Sequence, residues 1–258
     1  KGSDINYLGS PVEETSGGPD DFGYYWLDSD ESGGPVFDWV DVSSTGTDLV
    51  SQFDDDNYIG PLDLEFDFSF YGNTYNQIYI GSNGIIGFDE ASMEARIGRP
   101  IPTATAPNNI LALMWDDLDP TDYDNTDAHV FFHANGERCV IQFEDYPEYR
   151  ADPGDVITME VIIYSDGRIK YQYRAVAPGF DIDNSTIGIE NHLGNDGLEV
   201  AYNAVYLHDN LAIEFFKPYD WLLLDKTDGT IPGGSADTIQ CDFVTTESLE
   251  AGMYISDV

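Results

Sequence analysis

The chain has 258 residues and a mass of 28.7 kDa, and its 10 Lys+Arg against 49 Asp+Glu leave a formal net charge of −39. Charge of that sign and size excludes recognition of nucleic-acid phosphates and docking on anionic lipid, because both would be repelled. Hydrophobic residues at 41% and aromatics at 14% place it among globular chains long enough to bury a core.

Residues 1–20, rich in Gly, Pro, Ser and acid, read as an N-terminal arm or linker. The opening Lys1-Gly2-Ser3-Asp4 carries no Met and no signal peptide, which reads as a processed product or a fragment. In Leu62-Asp63-Leu64-Glu65-Phe66-Asp67-Phe68-Ser69-Phe70, apolar and polar residues alternate without a break, the period of a half-buried strand. Residues 90–97 alone look briefly helical. Strands rich in Val, Ile, Phe and Tyr are expected at Ile110–Trp115, His129–Ala134, 137–143, Val156–Tyr164, 168–174, Thr186–Glu190, 198–202 and Leu211–Phe216. Asn83-Gly84, Asn135-Gly136 and Asp166-Gly167 supply the positive φ angles of tight hairpins. Lys217-Pro218 closes the series, and Trp221-Leu222-Leu223-Leu224 opens a further unit over 218–258 that is short for an independent core. No run of 18 apolar residues predicts a transmembrane helix. The expected class is all-β: an antiparallel, jelly-roll-like β-sandwich over 21–217, then a short β unit.

Of the acids, 34 are Asp and 15 Glu, a split that suits loops and cation ligation better than helices. Asp116, Asp117, Asp119, Asp122, Asp124 and Asp127 crowd one loop after a strand, where such density repels unless a cation neutralises it. Asp28, Asp30 and Glu31, before Gly33-Gly34, form a second candidate for calcium, the one cofactor expected. Asp54-Asp55-Asp56-Asn57 and Asp181-x-Asp183-Asn184 are weaker. A solvated acidic surface accounts for such charge equally well. His129 and His133 share one strand face but lack a third zinc ligand. The Gly-x-Ser-x-Gly elbow, the phosphate-binding loop, His-Glu-x-x-His and Cys-x-x-Cys are all absent from the sequence. Paired carboxylates of a glycosidase cannot be singled out among so many acids. Cys139 and Cys241 each alternate with core residues of different units and read as free thiols. Tyr24, Tyr25, Trp26, Trp39, Phe70 and Tyr71 fit either core packing or a sugar platform.

The run Phe66-x-Phe68-x-Phe70-Tyr71-Gly72-Asn73-x-Tyr75-x-x-Ile78-Tyr79-Ile80-x-Ser82-Asn83-Gly84-x-Ile86-x-Phe88 resembles the nidogen-type extracellular module of secreted and surface proteins, mainly bacterial ones. The likeness continues through Ile110–Trp115 with Asp116-Asp117-Leu118, Val140-Ile141-Gln142-Phe143, the Met159 to Tyr173 hairpin and Thr186–Glu190 with Asn191. An opening often attached to that module is similar to Gly23-Tyr24-x-Trp26 followed by Gly33-Gly34-Pro35-x-Phe37-x-Trp39. The tail resembles the start of a bacterial immunoglobulin-like domain: Trp221-Leu222, Gly229-Thr230-Ile231-Pro232-Gly233-Gly234-Ser235, Ile239-x-Cys241-x-Phe243 and Leu249-x-Ala251-Gly252-x-Tyr254.

The resemblance implies a secreted or cell-surface location, and the absence of catalytic motifs points to a non-enzymatic role. The expected function is a structural or adhesive building block of a fibre, filament or layer. An incomplete immunoglobulin-like unit is to be finished by a strand from another subunit, with Ile5, Tyr7, Leu8 and Val12 of the arm meeting Trp221, Ile239 and Phe243 of the tail. Expected partners are copies of the same chain or other surface proteins, and carbohydrate. The alternative is an ancillary module of a larger secreted hydrolase, binding carbohydrate or serving as spacer.

Overall fold

The computed structural model describes residues 14–218, the segments 10–11, 222–224 and 241–243, and the single positions 230, 233 and 238. The chain divides into two compact units, Lys1–Lys217 and Pro218–Val258. Among the described residues the first holds sixteen strands: β1 Ser10–Pro11, β2 Ser16–Gly17, β3 Tyr25–Asp28, β4 Thr47–Asp48, β5 Tyr58–Phe70, β6 Asn73–Gly81, β7 Ile85–Gly87, β8 Ile110–Trp115, β9 His129–Ala134, β10 Arg138–Pro147, β11 Val156–Tyr164, β12 Ile169–Val176, β13 Thr186–Glu190, β14 Gly197–Tyr202, β15 Ala204–Val205 and β16 Leu211–Phe216. The second holds β17 Leu222–Leu224, paired antiparallel with β18 Cys241–Phe243.

Eight strands form one sheet in the order β2-β3-β16-β12-β11-β10-β9-β4, and six form the other in the order β14-β13-β8-β7-β6-β5. Every pairing within them is antiparallel, and no α-helix occurs among the described residues. The molecule is therefore all-β, a sandwich. Residues 90–97 form turns instead of the expected helical turn. Ser92 sits at φ 62, which interrupts any helix, and Met93 is drawn fully into an apolar cluster.

The alternation in β5 does what its period requires: Leu64, Phe68 and Phe70 are buried while Asp63, Glu65, Asp67 and Ser69 face out. The β6–β7 turn uses Gly84 at φ 71, and a Cβ there would lie 2.1 Å from the Met114 carbonyl oxygen. The β5–β6 turn places Tyr71 at φ 46 and Gly72 at φ 78, a pair with the φ signs of a type I′ turn.

Between the sheets lies one large core containing Leu64, Ile78, Leu113, Phe143, Val161 and Phe215. Tyrosines of the eight-stranded sheet cross this core to polar atoms of the other. Tyr171 donates to the Gly188 carbonyl at 2.9 Å and Tyr146 to the Ser82 carbonyl at 3.0 Å. Gly188 sits at a register shift against both β8 and β14, which frees its carbonyl from the ladder. A Cβ at Gly188 would stand 2.3 Å from the Leu198 carbonyl oxygen.

Both outer faces are also covered, which explains why β8 and β13 are buried at every residue. On the six-stranded sheet, the loop over 89–108 packs its Met93 and Ile101 on Ile85, Ile110, Ala112 and Trp115. Carboxylates fasten it: Glu199 accepts the Ile101 N–H at 2.8 Å, and Glu190 accepts that of Thr103. On the eight-stranded sheet, residues 36–46 form a strap across the strands. Gln142, Glu160 and Gln172 are register partners on adjacent strands. Their side-chain oxygens accept the N–H groups of Val42 (2.8 Å), Val40 (3.0 Å) and Asp38 (2.6 Å), every second residue of the strap. This polar row takes the place of a strand ladder and closes a small apolar cluster of Val42, Phe131, Val140 and Ile162.

Candidate metal centre

Three loops meet beyond the end of β8. Asp55 and Asp56 come from the turn before β5, Asn83 from the β6–β7 turn, and Asp116 and Asp117 from the end of β8. Asn83 ties them together. Its amide donates to Asp56 Oδ1 at 3.0 Å, its Oδ1 accepts the Leu118 N–H at 2.9 Å, and its carbonyl accepts the Asp116 N–H at 3.4 Å. The turn that bends the chain into a hairpin thus also sets the spacing of two acidic loops.

Carboxylate oxygens of Asp55, Asp56 and Asp117 lie within 4.8 Å of one another. Arg96 is the nearby cation, 3.8 Å from both Asp56 Oδ2 and Asp117 Oδ2, beyond hydrogen-bonding range. One half-exposed guanidinium therefore faces three carboxylates. Asp55 Oδ1 and Asp117 Oδ1 are buried with no hydrogen-bond partner. Burial pushes the Asp55 carboxyl up, with the charges of Asp119, Asp56 and Asp117 adding to it. Burial raises Asp117 as well, opposed by Arg96. A hard divalent cation with oxygen ligands would relieve these strains together.

Asp116, next in sequence to Asp117, belongs to a different group. Burial pushes its carboxyl up to about 7, opposed by the Asp117 N–H and reinforced by the charges of Asp181, Asp117 and Asp183. Glu148 rises to about 8, first by burial and then by Asp116 and Asp181. Glu148 Oε1 accepts the Asp181 N–H at 2.8 Å, which fixes the loop after β12 against the end of β10.

The remaining acids of the expected loop serve local turns. Asp119 accepts Thr121 N–H at 2.8 Å and Thr121 Oγ1 at 2.6 Å. Asp122 accepts Asp124 N–H at 2.9 Å and the Asn125 amide at 3.3 Å. Asp124 and Asp127 line a recess of about 320 Å³ with Asn125, Thr126 and Asp145. Asp28 is buried and accepts Asp30 N–H (2.9 Å), Glu31 N–H (3.2 Å) and the Tyr206 hydroxyl (2.6 Å). Asp30 pairs with His208 at 3.1 Å, and Glu31 accepts the Thr15 hydroxyl. Among the described residues, neither expected cluster as a whole is the group whose carboxylate oxygens lie within 4.8 Å of one another. That group joins Asp117 to Asp55 and Asp56, about sixty positions away in the chain. Spacing along the sequence cannot reveal it, and Glu148 carries no local signal.

His129 pairs with Asp48 at 2.7 Å and stacks on Phe131. Cys139 is a buried free thiol whose pKa burial drives up; Cys241 lies in β18 of the other unit. Tyr24, Trp26, Phe70 and Tyr71 are core residues, and Tyr25 stacks on Phe216. Trp39 lies in the strap beneath the Arg174 guanidinium, 4.8 Å from its ring centre. These aromatics pack into the body and form no common platform. Of the assembly residues, Ile5, Tyr7, Leu8, Val12, Trp221 and Ile239 lie outside the described residues, and Phe243 is described only as part of β18.

A family model described as NIDO related matches residues 32–212. That span takes in the strap, the whole six-stranded sheet, β4 and β9–β12 of the eight-stranded one, and Asp55, Asp56, Asp116, Asp117, Glu148, Asp181 and Asp183, while β2, β3, Asp28, Asp30 and Glu31 precede it and most of β16 lies beyond it. No curated protein and no solved structure matches the chain. No helix among the described residues is long and apolar enough to cross a membrane.

Proposed function

The chain belongs to the NIDO-related family, and from that premise we propose that it is an extracellular, non-enzymatic structural or adhesive module that joins copies of itself through its terminal segments. The observation that carries this reading is the second unit. Among its described residues, β17 and β18 form a two-stranded sheet of three residues each. Two strands of that length are by themselves marginal in water, and a sheet so short gains from strands added by a neighbour. The sandwich itself discourages pairing at its long free edge. β5 carries Asp63, Glu65 and Asp67 outward and shifts register twice against β6. Association is thereby directed to the termini.

Sedimentation of the full chain, and of a chain lacking 218–258, tests the proposal. Oligomers that become monomers on deletion, with the sandwich still folded, are expected. A full chain that stays monomeric at high concentration with and without calcium would overturn it.

The same reading includes calcium at Asp55, Asp56 and Asp117. A ligand that binds only the folded state at 100 times its dissociation constant adds about 2.7 kcal/mol. Millimolar calcium is expected to raise the melting temperature above that in EDTA, with Asp117→Asn removing most of the gain. An equal gain from sodium chloride would mark plain charge screening and count against the site.

A further inference from the structure

A groove of about 360 Å³ is lined by residues 74–77 and 79 of β6 and by residues 88–90 beyond β7. That volume is at the lower end of the roughly 300–1,000 Å³ typical of small-molecule sites. It is apart from the acidic centre, and no function described above uses it.

Three kinds of group meet in it. Tyr79 is half-buried in the wall, with Tyr58 set edge-on at 6.1 Å between ring centres, and Tyr58 is 37% exposed. Tyr75 is stacked on the buried ring of Phe88 at 4.9 Å, so its position is rigid. Asn76 and Gln77 are exposed and carry amides that both donate and accept. Asp89 and Glu90 add exposed carboxylates.

Beneath them lies a polar support. Asn109 is 2% exposed and holds φ 61. Its amide donates to Asp89 Oδ2 at 3.2 Å. Asp89 Oδ1 accepts the Ala91 N–H at 3.1 Å. The side-chain Oδ1 of Asn109 has no partner, although it is buried. A buried amide in an uncommon backbone conformation, with an unsatisfied oxygen, is costly in a surface turn. Here it orients Asp89 in the groove's lining.

The ligand follows from this chemistry. An aromatic wall takes the C–H face of a pyranose ring. Carboxylates accept hydroxyl hydrogens in short charge-assisted bonds, and primary amides match hydroxyls in both directions. An apolar ligand would cover the exposed amides of Asn76 and Gln77 and the Glu90 carboxylate without offering them partners. Acidic sugars are repelled by Asp89, Glu90 and the net charge of −39. We propose that this groove binds an uncharged oligosaccharide. The proposal stands apart from self-assembly, since a monomer would bind as well as a polymer.

Isothermal titration of the full chain tests it, with cello-, manno- and N-acetylchito-oligosaccharides as neutral probes and oligogalacturonate as the acidic one. At least one neutral probe is expected to bind and the acidic probe not to. Tyr79→Ala and Gln77→Ala are each expected to weaken binding roughly tenfold or more, as loss of an anchoring contact does. Tyr79 packs against Gly60, so Gln77→Ala, on an exposed side chain, is the variant that leaves the fold intact. Tyr123→Ala, 81% exposed in the acidic loop, should leave binding unchanged. Absence of binding by every neutral probe, equal binding of the acidic probe, or affinity unaltered in Gln77→Ala would each overturn the assignment.

Discussion

Trp115→Ala is expected to lower the melting temperature by roughly 10 °C. Trp115 ends β8 and is fully buried, but on the outer side of the six-stranded sheet, under the loop of residues 89–108. Its indole N–H donates to the Ala95 carbonyl at 2.8 Å. Truncation removes the packing with Ile85, Met93 and Ile110 and leaves the Ala95 carbonyl without its donor. Emptying a buried Trp site costs about 3–5 kcal/mol, against a total stability of roughly 5–15 kcal/mol. Tyr123→Ala, on an exposed side chain, is the control and should move stability by less than about 0.5 kcal/mol. Calorimetry of both variants decides. If Trp115→Ala melts within a degree or two of the unaltered chain, the loop does not form a second core on that face.

The second large effect is of pH. Glu160 is fully buried, and burial pushes its carboxyl from 4.5 up to about 7, against the opposing Val40 N–H, Gln172, Lys170 and Arg138. Glu190, also fully buried, rises to about 7 by burial, opposed by the Thr103 N–H. A carboxyl whose folded pKa is raised holds its proton more tightly in the folded state. Its stability contribution is fully present below the unfolded value and is lost as pH rises through the folded one. The window therefore runs from about pH 4.5 to pH 7, with the folded chain favoured on the acid side. At about 1.4 kcal/mol per unit, each group accounts for on the order of 3 kcal/mol across it. A higher melting temperature near about pH 5.5 than near about pH 8 is expected. Glu160→Gln keeps an acceptor for Val40 and cannot ionise. It should stabilise the protein on the alkaline side and flatten the slope. Stability that instead rises with pH over this window would refute the account.

Much of the architecture was legible one residue at a time. Ile110–Trp115, Val156–Tyr164 and Thr186–Glu190 are strands with the bounds that their apolar and β-branched runs imply. Asn83-Gly84, Asn135-Gly136 and Asp166-Gly167 all turn where their glycines permit, at φ 71, 75 and 98. Side-chain period and turn chemistry are local properties, so local sequence carries them. The strand of residues 137–143 instead runs to Pro147, because a bulge between Phe143 and Tyr146 lets pairing with β11 resume. The Tyr71 turn escaped notice because a bulky residue at positive φ is locally unfavourable. Its ring packs 4.7 Å from that of Phe70 and its hydroxyl donates to Asp20 at 2.7 Å, contacts that offset the local cost.

The acidic centre was legible only as composition. Forty-nine acids and a preference for Asp announce crowded carboxylates, but neighbouring positions at a strand end do not share surroundings. Asp116 and Asp117 adjoin in sequence, yet Asp116 is buried among Asp181, Asp183 and Glu148 while Asp117 joins Asp55 and Asp56. Which acids meet depends on how two loops far apart in the chain are held by Asn83. The straps are of the same kind. Gln142, Glu160 and Gln172 look like polar interruptions of apolar strands, and only the register of β10, β11 and β12 aligns them into one row. Sequence determined the strands, the turns and the excess of negative charge, because each follows from neighbours along the chain. Tertiary structure decided which carboxylates crowd together, which outer faces are covered and which tyrosines line a groove, because those depend on pairings between residues that the chain itself keeps apart.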